Sequence, residues 1–280
     1  MNRRSWRHGM PAQGAGMASF LAIVLAISSM LAAPAMAQTE SILQKVLRTH
    51  VLTVGTISGN PPWEFTTPDG QLDGYDIAIA KAIAADLGAR VEFVQTSGAG
   101  RIPALQTHKV DLVVAELDYT PARAQTVAYT MAYANPASEF IVKADSPYKT
   151  IESLNDPSVT LGYALGGDEA NIWPKILPKA QLKAFTTVAD AEQALVSGQV
   201  TATGEPSVLN IQMMKTHPGV LRVISPPYFT AITGIGVPQG DFEWWLWLDR
   251  WVDDFNYSGA NQALWVKYAG GGSPLLPPQH

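Results

Sequence analysis

The sequence places two carboxylates two positions apart, directly after a short apolar run. Because residues two apart on an extended segment project to the same side, Glu116 and Asp118 are expected to point together. Adjacent like charges are costly unless a cation lies close to them. Arg123, a few positions further on, could supply that charge, or a positively charged ligand could. Alternatively, the two carboxylates could form an acid–base or metal-binding pair.

The sequence gives little other support for catalysis. The five histidines are scattered and form no H-E-x-x-H pair, and no G-x-S-x-G nucleophile motif occurs. Gly98 and Gly100 do not begin a dinucleotide fingerprint, because Pro103 stands in the place of its third glycine. The absence of cysteine excludes disulfides, Cys-ligated zinc, Fe–S clusters and thiol nucleophiles. We therefore expect no enzymatic activity, no cofactor and no metal.

Length and composition are those of a globular protein. The chain has 280 residues, of which 47% are hydrophobic and 15% charged, enough for one large domain or two small ones. The formal charge is −5, and the basic residues are not gathered into a stripe. A nucleic-acid partner is therefore not expected.

The N-terminal segment differs in composition from the rest of the chain. A basic start is followed by an almost wholly apolar run over residues 20–33 and by the small-x-small sequence Ala35-Met36-Ala37. This pattern is typical of a secretory signal peptide, here residues 1–37, cleaved after Ala37. A single membrane anchor is the alternative, but the run is short for a membrane span and ends at Pro34. The expected location is the periplasm.

Short apolar runs alternate with helical periods through the rest of the chain. Such alternation predicts parallel βαβ units, and the same pattern occurs twice, which indicates two α/β lobes with a ligand cleft near the carboxyl ends of the strands. The predicted strands are 51–55, 91–94, 110–115, 160–163, 182–185, 200–203 and 233–237. The predicted helices are 77–87, 102–108, 189–197, about 242–255 and one that starts at 168.

Several motifs follow one another in the order and spacing of a known family. They are Val54-Gly55-Thr56, Pro61-Pro62-Trp63-Glu64-Phe65, Gly74-Tyr75-Asp76, Ile102-Pro103-Ala104-Leu105 and Thr120-Pro121-Ala122-Arg123. From residue 51 to about 142, and more loosely to about 206, the chain resembles the extracellular solute-binding proteins of amino-acid ABC transporters, family 3.

This resemblance implies a two-lobed Venus-flytrap fold of the type II periplasmic-binding-protein class, with lobe two inserted into lobe one. We place lobe one at residues 41–143 plus 234–280 and lobe two at 144–233, with hinge crossovers near 143–147 and 228–234. The implied function is capture of a small amino-containing solute, with amino acids first, and its delivery to an ABC permease. A monomer is the expected state.

The resemblance also assigns ligand-binding roles. Arg123 corresponds to the arginine that grips the ligand's α-carboxylate, unless it pairs with Glu116 or Asp118 instead. Gly167 and Asp168 stand in a loop whose backbone N–H groups would face an anion, although Asp168 could simply cap the following helix. Glu205 lies near the family's acidic residue for the ligand's ammonium group.

Other positions depart from the family pattern. Asn60 replaces an aromatic residue that commonly stacks on the ligand, whereas Trp63 remains, either as a cleft wall or as core. The acidic excess of Glu116, Asp118 and Glu205 over Arg123 predicts a ligand with an amino or guanidino group.

Two other functions are compatible with the same fold. Five tryptophans lie near the C-terminus, and Trp245 and Trp247 fall off the apolar stripe of the predicted helix. An exposed aromatic patch there would suggest an accessory protein of a partner oxidoreductase. The other alternative is a dehydratase acting on prephenate-like acids.

Overall fold

A computed structural model describes residues 40–57 and 59–275. The predicted signal peptide lies outside these residues. The helices are α1 Ile42–Thr49, α2 Tyr75–Asp86, α3 Arg101–Gln106, α4 Glu169–Ile176, α5 Val188–Ser197, α6 Ser207–Thr216, α7 Phe242–Tyr257 and α8 Ala260–Ala269. Within the described residues, no helix combines the length and the apolar character needed to cross a bilayer.

The strands form two five-stranded sheets and one short hairpin. They are β1 Val51–Thr56, β2 Phe65–Thr66, β3 Leu72–Asp73, β4 Arg90–Gln95, β5 Leu112–Val113, β6 Ala128–Ala134, β7 Ala137–Lys143, β8 Thr160–Ala164, β9 Gln181–Phe185, β10 Ala202–Pro206, β11 Leu221–Thr230 and β12 Thr233–Val237. The first sheet has the order β4-β1-β5-β12-β6 and the second β11-β7-β10-β8-β9.

Each sheet mixes parallel and antiparallel pairs. In the first sheet β1 is parallel to β4 and β5, while β12 is antiparallel to β5 and β6. In the second, β8 is parallel to β9 and β10, while β7 is antiparallel to β10 and β11. The parallel strands of each sheet alternate with helices, as the repeated sequence pattern predicts.

Both faces of each sheet are buried at inner strands such as β5 and β7. On β5, Leu112 belongs to one apolar cluster, with Trp244 of α7, and the next residue, Val113, to another, with Leu105 of α3. On β7, Phe140 and Ile141 alternate between two clusters in the same way. This explains why these inner strands have continuous apolar sequences rather than alternating ones.

The chain passes from the first sheet to the second between β6 and β7 and returns between β11 and β12. Residues 137–143, which the sequence analysis assigned to lobe one, therefore pair within the second sheet. Apart from this segment, the division into lobe one at 41–143 plus 234–280 and lobe two at 144–233 stays a prediction.

Trp245 and Trp247 of α7 pack against the protein and do not form an exposed patch. Trp245, half-buried, donates its indole N–H to the Tyr129 carbonyl at 2.7 Å. Trp247, also half-buried, stacks on Trp244 with ring centroids 5.7 Å apart. The expected exposed patch of these two side chains is not formed. The exposed aromatic side chains of this helix are Phe242 and Tyr257.

Candidate functional site

A cavity of about 340 Å³ is lined by residues that follow strands of both sheets. Its walls carry more acidic than basic side chains. The charged residues that line it are Arg101, Glu116, Asp118, Arg123, Asp168, Glu169 and Glu205.

Glu116 reaches this cavity because the chain turns sharply after β5. Its φ of 45° lies in the left-handed region, which is uncommon for a residue with a side chain. The conformation is held by the buried Asp76 of α2, whose Oδ2 accepts the Glu116 backbone N–H at 2.6 Å. Asn60 donates its side-chain N–H to Glu116 Oε2 at 2.6 Å. Asn60 thus lines the cavity and orients a carboxylate there.

Asp118 enters the cavity wall beside the first residue of β12. Asp118 and Thr233 form an isolated antiparallel bridge, and the Thr233 hydroxyl donates to Asp118 Oδ1 at 2.5 Å. Both side chains line the same cavity, but Glu116 is left-handed and not on the extended segment from which their common direction was predicted.

Arg123, in a short 3₁₀ turn at Arg123–Gln125, makes different contacts from those expected. Its Nη2 lies 2.8 Å from Asp168 Oδ1 and donates to the Gly166 carbonyl at 2.8 Å. Its Nη1 donates to the Asp118 backbone carbonyl at 2.7 Å. The structure therefore pairs Arg123 with the carboxylate of Asp168, across the cavity, rather than with the carboxylate of Glu116 or Asp118.

Sequence reasoning missed Arg101, the second guanidinium in the cavity. This buried residue begins α3, and its Nη1 donates to the carbonyls of Ala115 and Glu116 at 2.6 and 2.8 Å. Its Nη2 donates to the Gly166 carbonyl at 2.7 Å. The sequence feature that could have revealed Arg101 is its position immediately before the Ile102-Pro103 motif, next to an apolar helix face.

The loop before α4, on the second sheet's side of the cavity, contacts Arg101 and Arg123. Gly166 has a φ of 95°, which favours glycine, and its carbonyl accepts from both Arg101 and Arg123. Gly167 lines the cavity. Asp168 occupies the N-cap position, but its side chain makes no capping hydrogen bond and faces Arg123 instead. The alternative of a simple helix cap is therefore wrong.

Two glutamates complete the acidic wall. Glu205, near the end of β10, is 6% exposed, and within the described residues no cation or hydrogen-bond donor pairs with its carboxylate. Glu169, at the first position of α4, has a buried Oε2 without a hydrogen-bond partner. Glu169 was missed because an acidic residue in the first turn of a helix is common on electrostatic grounds alone.

Trp63 lies outside this cavity. It is fully buried and makes edge contacts with Tyr75 and Trp265, with ring centroids 5.5 and 5.3 Å away. It belongs to the core that joins α2 to α8, so its prediction as a ligand-binding residue is wrong.

The electrostatics of the cavity are dominated by desolvation of carboxylates. Burial raises the pKa of Asp168 to about 6, against the opposing attraction of Arg123. Burial raises the pKa of Glu169 to about 7, and the charge of Asp168 adds to this. Burial also raises the pKa values of Glu116, Asp118 and Glu205. A bound cation would favour the ionised form of each.

A second layer of acidic groups lies behind the cavity. Burial raises the pKa of Asp76 to about 7 and that of Glu64 well above its usual range. Glu64 is fully buried, and neither of its carboxylate oxygens has a hydrogen-bond partner. Because a raised pKa favours the protonated, neutral carboxyl group, this layer contributes less negative charge than its two acidic residues suggest.

Within residues 40–57 and 59–275, no three His, Asp or Glu side chains converge to hold a metal ion. The carboxylates instead face the cavity from two sides, Glu116 and Asp118 from the first sheet and Glu169 and Glu205 from the second.

Relatives with known functions match most of the chain. An L-arginine-binding protein of Pseudomonas aeruginosa is 28% identical over 229 residues, which are 77% of this chain and 86% of that protein. A cyclohexadienyl dehydratase of the same species is 22% identical over 250 residues, 87% of this chain and 93% of the dehydratase.

Solved structures show the same fold. An ancestral amino acid-binding protein, described as a precursor of cyclohexadienyl dehydratase, superposes with a TM-score of 0.76 at 32% identity and covers 81% of this chain and 99% of its own. Residues 52–271 match the family model of bacterial extracellular solute-binding proteins, family 3. The chain belongs to this family of bacterial extracellular solute-binding proteins and has the type II periplasmic-binding-protein fold.

Proposed function

We propose that this protein captures a small amino-containing solute in the periplasm, with amino acids as the first class, and delivers it to an ABC permease. The observation that carries the proposal is the cavity between the two sheets, where five carboxylates face two arginines. An uncompensated acidic cavity favours a positively charged occupant, because buried like charges are costly. Membership of a solute-binding family supports capture as the role.

The proposed binding mode uses both sheets. Glu116 and Asp118 would accept hydrogen bonds from a cationic nitrogen on one side, and Glu205 and Glu169 on the other. Gly167 and Asp168 would contact the solute from the loop before α4. Because these groups lie on different sheets, the solute would hold the two lobes together, which is how hinge closure around a ligand works.

A thermal-shift panel tests this function. Acidic, neutral and basic amino acids, amines and plain organic acids are added to the purified protein, since a ligand that binds the native state raises its melting temperature. Basic or neutral amino-containing compounds should raise it, and acidic ones such as glutamate should not. If only an acidic or amine-free compound raises the melting temperature, the proposed solute class is wrong.

We propose that the protein performs no chemistry on its ligand, although one relative is a dehydratase. Glu116 and Asp118, the candidate acid–base pair, are each held by a hydrogen bond, from Asn60 and from Thr233 respectively. A bound solute should be recovered unchanged after prolonged incubation, as judged by mass spectrometry. Turnover of prephenate at enzyme concentrations well below substrate would support the dehydratase alternative.

Export and delivery have tests of their own. The mature protein isolated from its native cells should begin at Gln38 and behave as a monomer in light scattering. Deleting its gene should abolish uptake of the identified solute in those cells, and restoring the gene should recover uptake. Normal uptake after deletion would contradict the transport role.

A further inference from the structure

Both terminal nitrogens of the Arg123 guanidinium already contact acceptors of the protein. They contact the Asp118 carbonyl at 2.7 Å, the Gly166 carbonyl at 2.8 Å and the Asp168 carboxylate at 2.8 Å. The Asp168 side chain is 6% exposed and that of Arg123 is 16% exposed, so the aspartate of this ion pair is buried and the arginine partly so. A ligand carboxylate would have to displace a buried aspartate to reach this arginine.

Arg101 offers no better anchor for an anion. It donates to the carbonyl oxygens of Gly98, Ala115, Glu116 and Gly166, at distances from 2.6 to 2.9 Å. All three of its guanidinium nitrogens are therefore engaged with the backbone. Arg101 and Arg123 both donate a hydrogen bond to the Gly166 carbonyl, so both guanidinium groups stabilise the protein's own structure.

The acidic groups that remain face each other across the cavity. Glu116 and Asp118 each accept one hydrogen bond, from Asn60 and Thr233, and keep further acceptor capacity. On the opposite side, Glu169 Oε2 is unpartnered and Glu205 has no cation beside it within the described residues. The cavity thus presents two acidic pairs, and each can accept one positively charged nitrogen.

We propose that the ligand is a small organic cation with two basic nitrogens and no carboxylate, such as a diamine or an aminoalkyl guanidine. One nitrogen would lie between Glu116 and Asp118 and the other between Glu169 and Glu205. Asp168 takes the place at Arg123 that the carboxylate of an amino acid would occupy. This inference rests on the proposed capture of an amino-containing solute and, within that class, favours amines without a carboxylate over amino acids.

Matched pairs of amines and amino acids provide the test. Calorimetry at pH 8 compares 1,5-diaminopentane with lysine, 1,4-diaminobutane with ornithine, and agmatine with arginine, because each amine is the amino acid without its carboxylate. We expect each amine to bind at least as tightly as its partner. If the amino acids bind tenfold or more tightly than the amines, the inference falls while the proposed function stands. If no member of any pair binds, the inference falls, and the thermal-shift panel with neutral amino acids and other amines decides the proposed function.

Asp168→Asn tests the reason for this preference. The variant removes the charge that neutralises Arg123, so the affinity ratio of lysine to 1,5-diaminopentane should shift at least tenfold toward lysine. Asp253→Asn, an exposed site on α7, is the matched control and should leave the ratio unchanged. An unchanged ratio in Asp168→Asn would show that Asp168 does not block carboxylate recognition and would overturn the inference.

Discussion

At the scale of single residues, the charge of the cavity is set by carboxylates that are buried but lack a full set of hydrogen-bond partners. Glu116 is held in a left-handed conformation by Asp76 and oriented by Asn60. The spacing of Glu116 and Asp118 predicted that both face one side, and both line the cavity, but Glu116 is left-handed and not extended as that prediction assumed. The contact between Arg123 and Asp168 was not predictable, because it joins residues that meet only through the packing of two separate sheets.

Replacing Glu205 should weaken binding of a cationic ligand. Glu205→Gln keeps the shape of the side chain but removes the charge, and a hydrogen bond to a charged group is worth about 1.5–3 kcal/mol. We expect about a 10- to 100-fold loss of affinity by calorimetry at pH 8. The control is Glu152→Gln, at an exposed site in the 3₁₀ turn Glu152–Leu154. Equal affinities in the two variants would remove Glu205 from the site.

At the scale of elements, prediction from the sequence succeeded where apolar patterns are local. The strand at 233–237 has the predicted bounds, and helix α7 extends only two residues beyond its prediction. Strands β6, β7 and β11 were missed, since their buried positions are set by antiparallel partners far away in the chain. The sequence could not decide whether Trp63 lies in the cleft wall or in the core, because the aromatic residues that pack against it come from α2 and from the distant α8.

Trp265 should contribute strongly to stability, because it ties the last helix to the core around Trp63. Trp265→Ala should lower the free energy of unfolding by about 3–5 kcal/mol. Val266→Ala, at the next position of α8 and 48% exposed, should change it by less than about 0.5 kcal/mol. Denaturant unfolding of both variants measures the difference. Similar values would place α8 outside the core.

At the scale of the whole molecule, the two sides of the cavity meet at two glycine-containing loops. A Cβ on Gly98 would lie 2.6 Å from the Leu165 carbonyl oxygen, too close for any real contact. The guanidiniums of Arg101 and Arg123 reach the neighbouring Gly166 carbonyl at the same place. The two sides of the cavity are therefore joined by close backbone approach as well as by hydrogen bonds from the two arginines.

Gly98→Ala should hold the lobes apart, since the added methyl group meets backbone and cannot be accommodated by a side-chain movement. Small-angle scattering with saturating ligand should give a larger radius of gyration than for the wild-type complex, and affinity should fall by about tenfold or more. Ala99→Ser, at an exposed neighbour, is the control. A wild-type radius of gyration in Gly98→Ala would show that closure does not require this contact.

The acidic interior should make stability fall as pH rises. The pKa values of Asp168, about 6, and of Asp76 and Glu169, about 7, lie above those of unfolded carboxyls near 4. Between these limits the folded protein holds more protons than the unfolded chain, so the free energy of unfolding decreases with pH. The ligand-free protein should melt at a higher temperature at pH 5.5 than at pH 8. Glu169→Gln should reduce this difference, and an unchanged difference would assign it to other groups.

The most direct test of solute capture is mass spectrometry of small molecules released from protein purified natively from its own cells. The structure predicts one bound compound per protein, carrying at least one amino or guanidino group that can meet the carboxylates of Glu116, Asp118, Glu169 and Glu205. Release of an acidic compound, or of one without a basic nitrogen, would contradict the account.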